Sequence, residues 1–357
     1  MSGRRAVVVG AGIGGLAAAI ALDRIGMDVS VYEQAVELRE VGAGLSIWPD
    51  ALDVLDELGV GEAVRDLAPV EPDAKLYRSD GAVIASMTST ASRVGGGQPR
   101  VIHRAQLHEL LRDAWGGPIG LGKRCSSVEV GQGRATVQFD EGSEAAADLV
   151  VGADGLRSRV REALHGEASP RYAGYLAWRA VVAGAGWHLH PGETWGAGAR
   201  FGRARLSENR IYWFATKTMP LDTPHDIRKT LSSTFAGWHQ PIPQLLDATP
   251  DEDILENAIF DRPPLPVWGS GVVALLGDAA HPMTPNLGQG ACQALLDASA
   301  LARRITGDDI ESCLRSYEAA RKAATARLVR RSRLVGKVGQ FRSPAAVGIR
   351  NALLHVL

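Results

Sequence analysis

The chain has 357 residues, with 39 Lys plus Arg against 40 Asp plus Glu and a formal net charge of −1. It therefore lacks the whole-chain excess of one sign that marks nucleic-acid binders and acidic tails. Hydrophobic residues at 45%, charged residues at 22%, 41 Gly and 18 Pro describe a turn-rich globular chain and exclude collagenous or disordered classes. Cys125, Cys292 and Cys313 are widely spaced, without CxxC or a neighbouring His cluster, so neither a disulfide framework nor a metal site is indicated. A reducing cytoplasm is expected. All apolar runs fall far below the ~20 residues of a membrane span, so neither a membrane nor a nucleic-acid partner is expected.

In chain order, Ala6-Val7-Val8-Val9 is a short apolar run, followed by Gly10-Ala11-Gly12-Ile13-Gly14-Gly15, an alanine-rich stretch to Ile25, and Asp28-Val29-Ser30-Val31-Tyr32-Glu33. This predicts strand, glycine turn, helix, strand. In such a unit Gly10 makes the tight turn, Gly12 admits a pyrophosphate and Gly15 lets the helix pack closely. Glu33 ends the second strand at a spacing near the ~20 residues expected of a ribose-binding acid. The residues alone leave NAD and FAD open. Asp148-Leu149-Val150-Val151 ends in Gly152-Ala153-Asp154-Gly155, and Val272 to Leu276 ends in Gly277-Asp278. Three strand ends with glycine and acid are expected to converge at the carboxyl edge of one sheet, which makes the cofactor domain discontinuous.

Between them, Tyr172 to Val182, Arg200 to Leu206 and Arg210 to Thr216 read as antiparallel strands of a second sheet. Arg210, Tyr212 and Phe214 alternate onto one face, and Arg200 joins that face only if the hairpin parity matches. From Gly290 onward two long helices are predicted, Ala291 to Ile305 and Asp308 to about Val338, the second with Leu314, Tyr317, Leu328 and Leu334 near helical spacing. The basic run Arg327, Arg330, Arg331 and Arg333 reads as a solvated helix face. His281 before Pro282 reads as structural, and Cys292 as an inert helix cysteine.

Five segments carry a resemblance. Gly10 to Gly15, Gly42-Ala43-Gly44-Leu45-Ser46-Ile47-Trp48-Pro49, Arg104-Ala105-Gln106-Leu107, Ala153-Asp154-Gly155-Leu156-Arg157-Ser158, and Gly277-Asp278-Ala279-Ala280-His281-Pro282 with its glycine-rich helix start occur in this order. Over nearly the whole chain they resemble the FAD-dependent aromatic hydroxylases, the single-component flavoprotein monooxygenases of the para-hydroxybenzoate and salicylate hydroxylase type. The resemblance implies an α/β fold: a Rossmann-like FAD-binding domain over 1–70, 96–170 and 265–305, and an inserted antiparallel β-sheet substrate domain over 71–95 and 171–264. A C-terminal helical segment, 306–357, completes it. It further implies that Glu33 holds the adenosine ribose, that Arg104 contacts the ribityl or pyrophosphate, and that Ser46 lies near the ribityl chain. Asp154 would sit in a motif shared with the nicotinamide reductant, Asp278 would bind the ribityl-phosphate part, and Gly288, Gln289, Gly290 and Ala291 would border the isoalloxazine. Gly14, Gln34 and Cys125 complete the expected cofactor set.

In such enzymes NADH or NADPH reduces FAD, O2 adds to give a C4a-hydroperoxide, and its distal oxygen goes to an electron-rich carbon of a small aromatic or N-heterocyclic substrate. Arg171-Tyr172-Ala173-Gly174-Tyr175 and the Arg200 to Tyr212 spacing look like bacterial FAD-dependent urate hydroxylases, which casts Arg200 and Tyr212 as the catalytic, substrate-orienting pair. Arg179 departs from that subgroup, where an amide is expected. The alternatives are a flavin-dependent epoxidase or oxidase of an alkene or polyketide, and a non-hydroxylating FAD-binding partner protein. A monomer or homodimer is expected.

Overall fold

The computed structural model describes residues 3–38, 43–68, 70, 74–86, 97–184, 186–187 and 189–356. Gly42 of the second resembling segment, and 71–73 and all of 87–95 of the expected substrate domain, lie outside them. The first sheet has six strands, in the order Gly269–Ser270, Val273–Leu275, Leu149–Gly152, Arg5–Val9, Asp28–Tyr32 and Ile119–Gly120. Arg5–Val9 pairs in parallel on both sides, with Val9 opposite Tyr32 and Gly152, and Gly152 opposite Leu275. The three glycine-and-acid strand ends therefore do converge at one carboxyl edge, on three adjacent strands, with Asp28–Tyr32 on the other side of the first strand, which is the switch point of the sheet. These strands read as continuous apolar runs because both faces are covered: every residue of Leu149–Gly152 and Val273–Leu275 is buried.

Helix Ile13–Arg24 is buried nearly all round and crosses helix Gly290–Arg304 at close range. Gly14 permits the approach, since a Cβ there would stand 2.8 Å from Leu276 Cδ2 and 3.0 Å from Ala294 Cβ.

The second sheet has seven strands, in the order Leu255–Asp261, Arg171–Ala183, Arg210–Thr218, Ala199–Leu206, Gly192–Trp195, Lys75–Arg78 and Val83–Ser86. It is antiparallel except where Gly192–Trp195 runs parallel to Lys75–Arg78. Trp178, Phe201 and Trp213 on one face pack beneath helices Ile227–Phe235 and Ile242–Asp247. The other face turns toward a separate two-stranded sheet, Gly44–Ile47 with Arg100–His103: the ring of Tyr212 lies on the backbone of Gly44, where a Cβ would come within 2.2 Å of Tyr212 Cδ1.

Helix Ile310–Gly339 has 30 residues, roughly 45 Å, and spans both parts. Tyr317 donates to Leu275 O at 3.1 Å at one end, and Gly339 lies against Arg200 at the other. Leu334 departs from the sequence expectation: Leu314 and Tyr317 are buried, whereas Leu334 is 60% exposed. Twenty residues are about 5.6 turns, so Leu334 falls on the side of the helix opposite Leu314.

Candidate active site

The fingerprint turn is built from glycine constraints. Gly10 has φ +106°, and a Cβ on it would stand 2.5 Å from Ala153 O; one on Gly15 would stand 1.8 Å from Gly10 O. Gly12 differs, because no atom of the described residues lies within 4 Å of where its Cβ would be. It precedes helix Ile13–Arg24 without a side-chain cap, so the first helical N–H groups and the positive end of the helix dipole face open space. That is the geometry a pyrophosphate needs. Glu33 braces the turn and faces the same cleft: its Oε2 accepts from Ala11 N at 2.8 Å and its Oε1 from Ala35 N at 3.0 Å. Gly10, Gly12, Gln34, Cys125 and Asp154 line the cleft with it. His108, which the sequence reading missed, ties helix Arg104–Trp115 to the turn, its Nε2 2.7 Å from Ala11 O.

Asp154 caps helix Arg159–His165, its Oδ2 accepting from Arg159 N at 2.7 Å and Val160 N at 3.2 Å. Its Oδ1 is buried without a partner among the described residues, and burial raises its pKa. A buried carboxylate oxygen that the protein leaves unsatisfied is a place for a donor from a ligand. Cys125 is neutral at physiological pH, its thiol pushed up to about 12 by burial, so it serves the cleft as wall rather than as nucleophile.

Toward the other end of the sheet's carboxyl edge, Asp278 occupies the turn Gly277–Ala279, and a Cβ on Gly290 would lie 4.0 Å from its Oδ1. Asp278 is exposed yet closely surrounded by protein, and that desolvation raises its pKa against the pull of His281 and Arg104. Arg104 begins helix Arg104–Trp115 with its backbone N donating to Ala43 O at 2.9 Å, and its side chain is exposed. Gly288 is left-handed at φ +59°, and Ser46 is its neighbour: a Cβ on Gly288 would be 3.2 Å from Ser46 Oγ. Cys292 donates its S–H to Ser46 O at 3.2 Å with its thiol pushed up to about 12 by burial. Helix Gly290–Arg304 starts after Gln289 with no side-chain cap, and Ala291 lies in its first turn. The structure thus brings Ser46, Asp278 and the Gly288 to Ala291 start together, across the first strand of the sheet from Glu33.

Behind Asp278 lies a charged cluster that sequence reasoning did not find. Asp297 is fully buried; its Oδ2 accepts from Gly277 N at 3.0 Å and lies 2.5 Å from His281 Nε2, while its Oδ1 accepts from Arg321 Nε at 2.7 Å. The cluster holds the turn that carries Asp278. His281 is accordingly a buried structural partner.

The hairpin register answers the parity question. Arg200 pairs with Thr216 and Ala204 with Tyr212, so Arg200 and Tyr212 share the face turned to the flavin-side loop. Arg179 pairs with Phe214 and joins them. Arg200 is 2% exposed and its guanidinium is held by protein: Nη1 donates to Asn286 Oδ1, Nη2 to Glu193, and the group lies 4.9 Å over the Trp195 ring. Asn286, in the loop before Gly288, also binds Tyr175 and Thr284. Tyr212 is half-buried with its phenol pushed up to about 12 by desolvation, partly offset by Arg179, so it is a neutral hydrogen-bond donor.

The fold and the cleft define a flavoprotein with a dinucleotide cradle at one end and an aromatic wall at the other. The family model described as "FAD binding domain" matches residues 4–190 and 264–332. The aurachin C monooxygenase/isomerase of Stigmatella aurantiaca is 38% identical, over 100% of this chain and 95% of that protein. A FAD-dependent urate hydroxylase of Klebsiella pneumoniae is 36% identical, over 89% of this chain and 85% of the other. The crystal structure of Klebsiella pneumoniae HpxO complexed with FAD and uric acid superposes with TM-score 0.90 at 32% identity, covering 100% of this chain and 94% of that one. The chain belongs to the FAD-dependent aromatic hydroxylase family and is a flavoprotein monooxygenase with FAD as its cofactor. The open space at Gly12, the unsatisfied Oδ1 of Asp154 and the exposed Asp278 fit that group.

Asp278→Ala is expected to weaken FAD binding roughly 5- to 150-fold, the range of a lost buried hydrogen bond. Ala279 and Ala280 offer no replacement carboxylate. Titration of the apoprotein with FAD measures it, and an unchanged dissociation constant with an unchanged flavin spectrum would move the acid's role elsewhere.

Proposed function

We propose that the enzyme hydroxylates a small N-heteroaromatic compound bearing an acidic or enolisable group, with NADH or NADPH and O2 as co-substrates. It is read as a cytoplasmic monomer or homodimer. The cofactor unit is read as 1–70, 96–170 and 265–305, the substrate unit as 71–95 and 171–264, and 306–357 as the C-terminal helical segment. The observation that carries this reading is the sheet face bearing Tyr212, Phe214 and Arg179, which abuts Gly44 and the Asn286 loop. Uric acid, held by HpxO, is one N-heterocycle of this chemistry.

Bound FAD supplies reduction by the nicotinamide and activation of O2. Glu33, Asp154, Asp278, Arg104, Ser46 and the helix starts after Gly12 and Gln289 would hold it. Tyr212 donates its phenolic proton in a hydrogen bond to a substrate oxygen, and Arg179 supplies positive charge on the same face. Phe214 contributes a flat apolar wall that excludes water. Arg200, whose guanidinium grips Asn286, acts as a positioning residue that fixes the flavin-side loop against the sheet.

Substrate-stimulated NAD(P)H oxidation across a panel of phenolic and N-heterocyclic acids tests the reading. One heterocyclic class is expected to stimulate oxidation and yield a hydroxylated product; stimulation by none of them would overturn it. Arg200→Gln is expected to raise KM about tenfold and to increase peroxide release while FAD content survives, because a displaced loop misaligns the ring. Tyr212→Phe is expected to give a smaller change. Normal coupling in Arg200→Gln would confine Arg200 to the stability of the sheet.

A further inference from the structure

Charge is unevenly distributed along this chain: the net charge is −1, yet from Ala319 to the C-terminus there are nine Lys or Arg and no Asp or Glu. Four of these cations, Arg327, Arg330, Arg331 and Lys337, surround Leu334 on one face of helix Ile310–Gly339, at spacings of three, four, seven and ten from Arg327. All four are exposed, and none forms an ion pair among the described residues. Beside them runs a groove of ≈ 260 Å³, with Arg171 and Arg333 on its walls and Pro264, Val329 and Leu334 as its apolar part. Arg171 and Arg333 share one carboxylate, Asp261, so the groove keeps a positive excess.

The next helix, Pro344–Val356, packs Leu354 into the cluster of Leu76, Ile84 and Trp195 that also receives Val335 and Val338 of the long helix. Its outer side exposes Ala345, Ile349, Ala352 and Leu353, with Ile349 at 64% and Leu353 at 62%. Leu334, flanked by these cations, and Ile349 with Leu353 are thus large apolar side chains exposed on two helices that pack on the same cluster of Leu76, Ile84 and Trp195, a concentration that marks interaction surfaces.

The stripe turns away from the chemistry. Ser332 and Gly336, which meet Thr284 and Asn286 beside the flavin loop, are on the opposite side of the helix from Arg330 and Leu334. A polyanion or a soluble phosphate would use the cations but has no use for Ile349 and Leu353, whereas a bilayer with anionic headgroups uses both. We propose that this face docks the enzyme on an anionic lipid surface, with headgroup phosphates at Arg330, Arg331, Lys337 and the groove, and with Ile349 and Leu353 entering the acyl boundary.

Co-sedimentation of the FAD-loaded enzyme with vesicles tests this. Vesicles of phosphatidylcholine with about one-third phosphatidylglycerol should bind it at low ionic strength and release it as salt rises, and phosphatidylcholine alone should bind little. The combined Arg330→Glu, Arg331→Glu and Lys337→Glu variant should bind at least about 100-fold more weakly, at roughly fivefold per cation. Ile349→Ser with Leu353→Ser should weaken binding without changing charge. FAD content and vesicle-free NAD(P)H oxidation should be unaltered in both. No binding to the anionic vesicles, equal binding to neutral ones, insensitivity to charge reversal, or binding to polyuridylate in place of vesicles would each overturn the proposal. If the charge-reversal variant loses FAD through misfolding, the salt titration of the unaltered enzyme and the serine variant decide.

Discussion

Asp297→Ala is expected to destabilise the protein by about 3–5 kcal/mol and to release FAD, although Asp297 is not a flavin ligand. It is fully buried, and three groups depend on it: Gly277 N–H, His281 and Arg321. Removing one member of a buried charged set leaves the others desolvated without a counter-charge, which costs far more than a surface pair is worth. The functional loss follows from Gly277, because its N–H anchors the turn that carries Asp278. Burial raises the pKa of Asp297, but His281 and Arg321 lower it further, and the net shift is downward. Its contribution to stability is therefore complete above the ordinary carboxylate value of 3.8 and is lost as pH falls through the lower native value. Asp297→Asn should accordingly flatten the acid limb of the stability profile. Urea unfolding across pH, with FAD retention read in parallel, measures both effects; an unchanged midpoint and unchanged retention in Asp297→Ala would show the cluster to be dispensable.

The nucleotide turn was legible in the sequence because its constraints are local: Gly10 and Gly15 answer to backbone atoms of their own turn and of the adjacent strand end. The sheet face was half legible. Alternation put Tyr212 and Phe214 together, but the side of Arg200 depended on the loop Ser207-Glu208-Asn209, where Glu208 and Asn209 both take positive φ. The count of residues in that loop sets the parity, and neither strand's own pattern reveals it.

The charged cluster was illegible for a different reason: Gly277, His281, Asp297 and Arg321 come from a turn and two helices that only tertiary packing brings together. One further signal was present and went unread. Gly44 and Gly202 sit in strands and Gly336 inside a helix, where glycine is a poor choice unless something approaches closely, and Gly339 ends that helix. Each makes room for one side chain, respectively Tyr212, Phe214, Asn286 and Arg200. Tyr212 joins the sheet to the Gly44 strand, Arg200 joins it to the long helix and Asn286 joins the flavin-side loop to that helix, whereas Phe214 packs on a neighbouring strand of its own sheet; Gly44, Gly336 and Gly339 thus mark contacts between elements.

The same logic separates two glycines that the fingerprint treats alike. Gly15→Ala is expected to cost both stability and FAD, since the new Cβ would stand 1.8 Å from Gly10 O and 3.0 Å from Gly10 C, backbone atoms that can yield only by moving the turn. Overpacking of this kind costs about 1–3 kcal/mol or more, beyond the ~1 kcal/mol that alanine gains over glycine in a helix. Gly12→Ala should leave the apoprotein at least as stable, because its φ of −74° suits alanine and no atom of the described residues lies within 4 Å of the new methyl group. Its whole cost should fall on the ligand, as the methyl enters the space through which a pyrophosphate meets the helix start. Thermal unfolding of the two apoproteins, set beside their FAD dissociation constants, distinguishes the cases. Tight FAD binding by Gly12→Ala would place the pyrophosphate away from this helix, and an unshifted midpoint in Gly15→Ala would mean that the turn relaxes without loss.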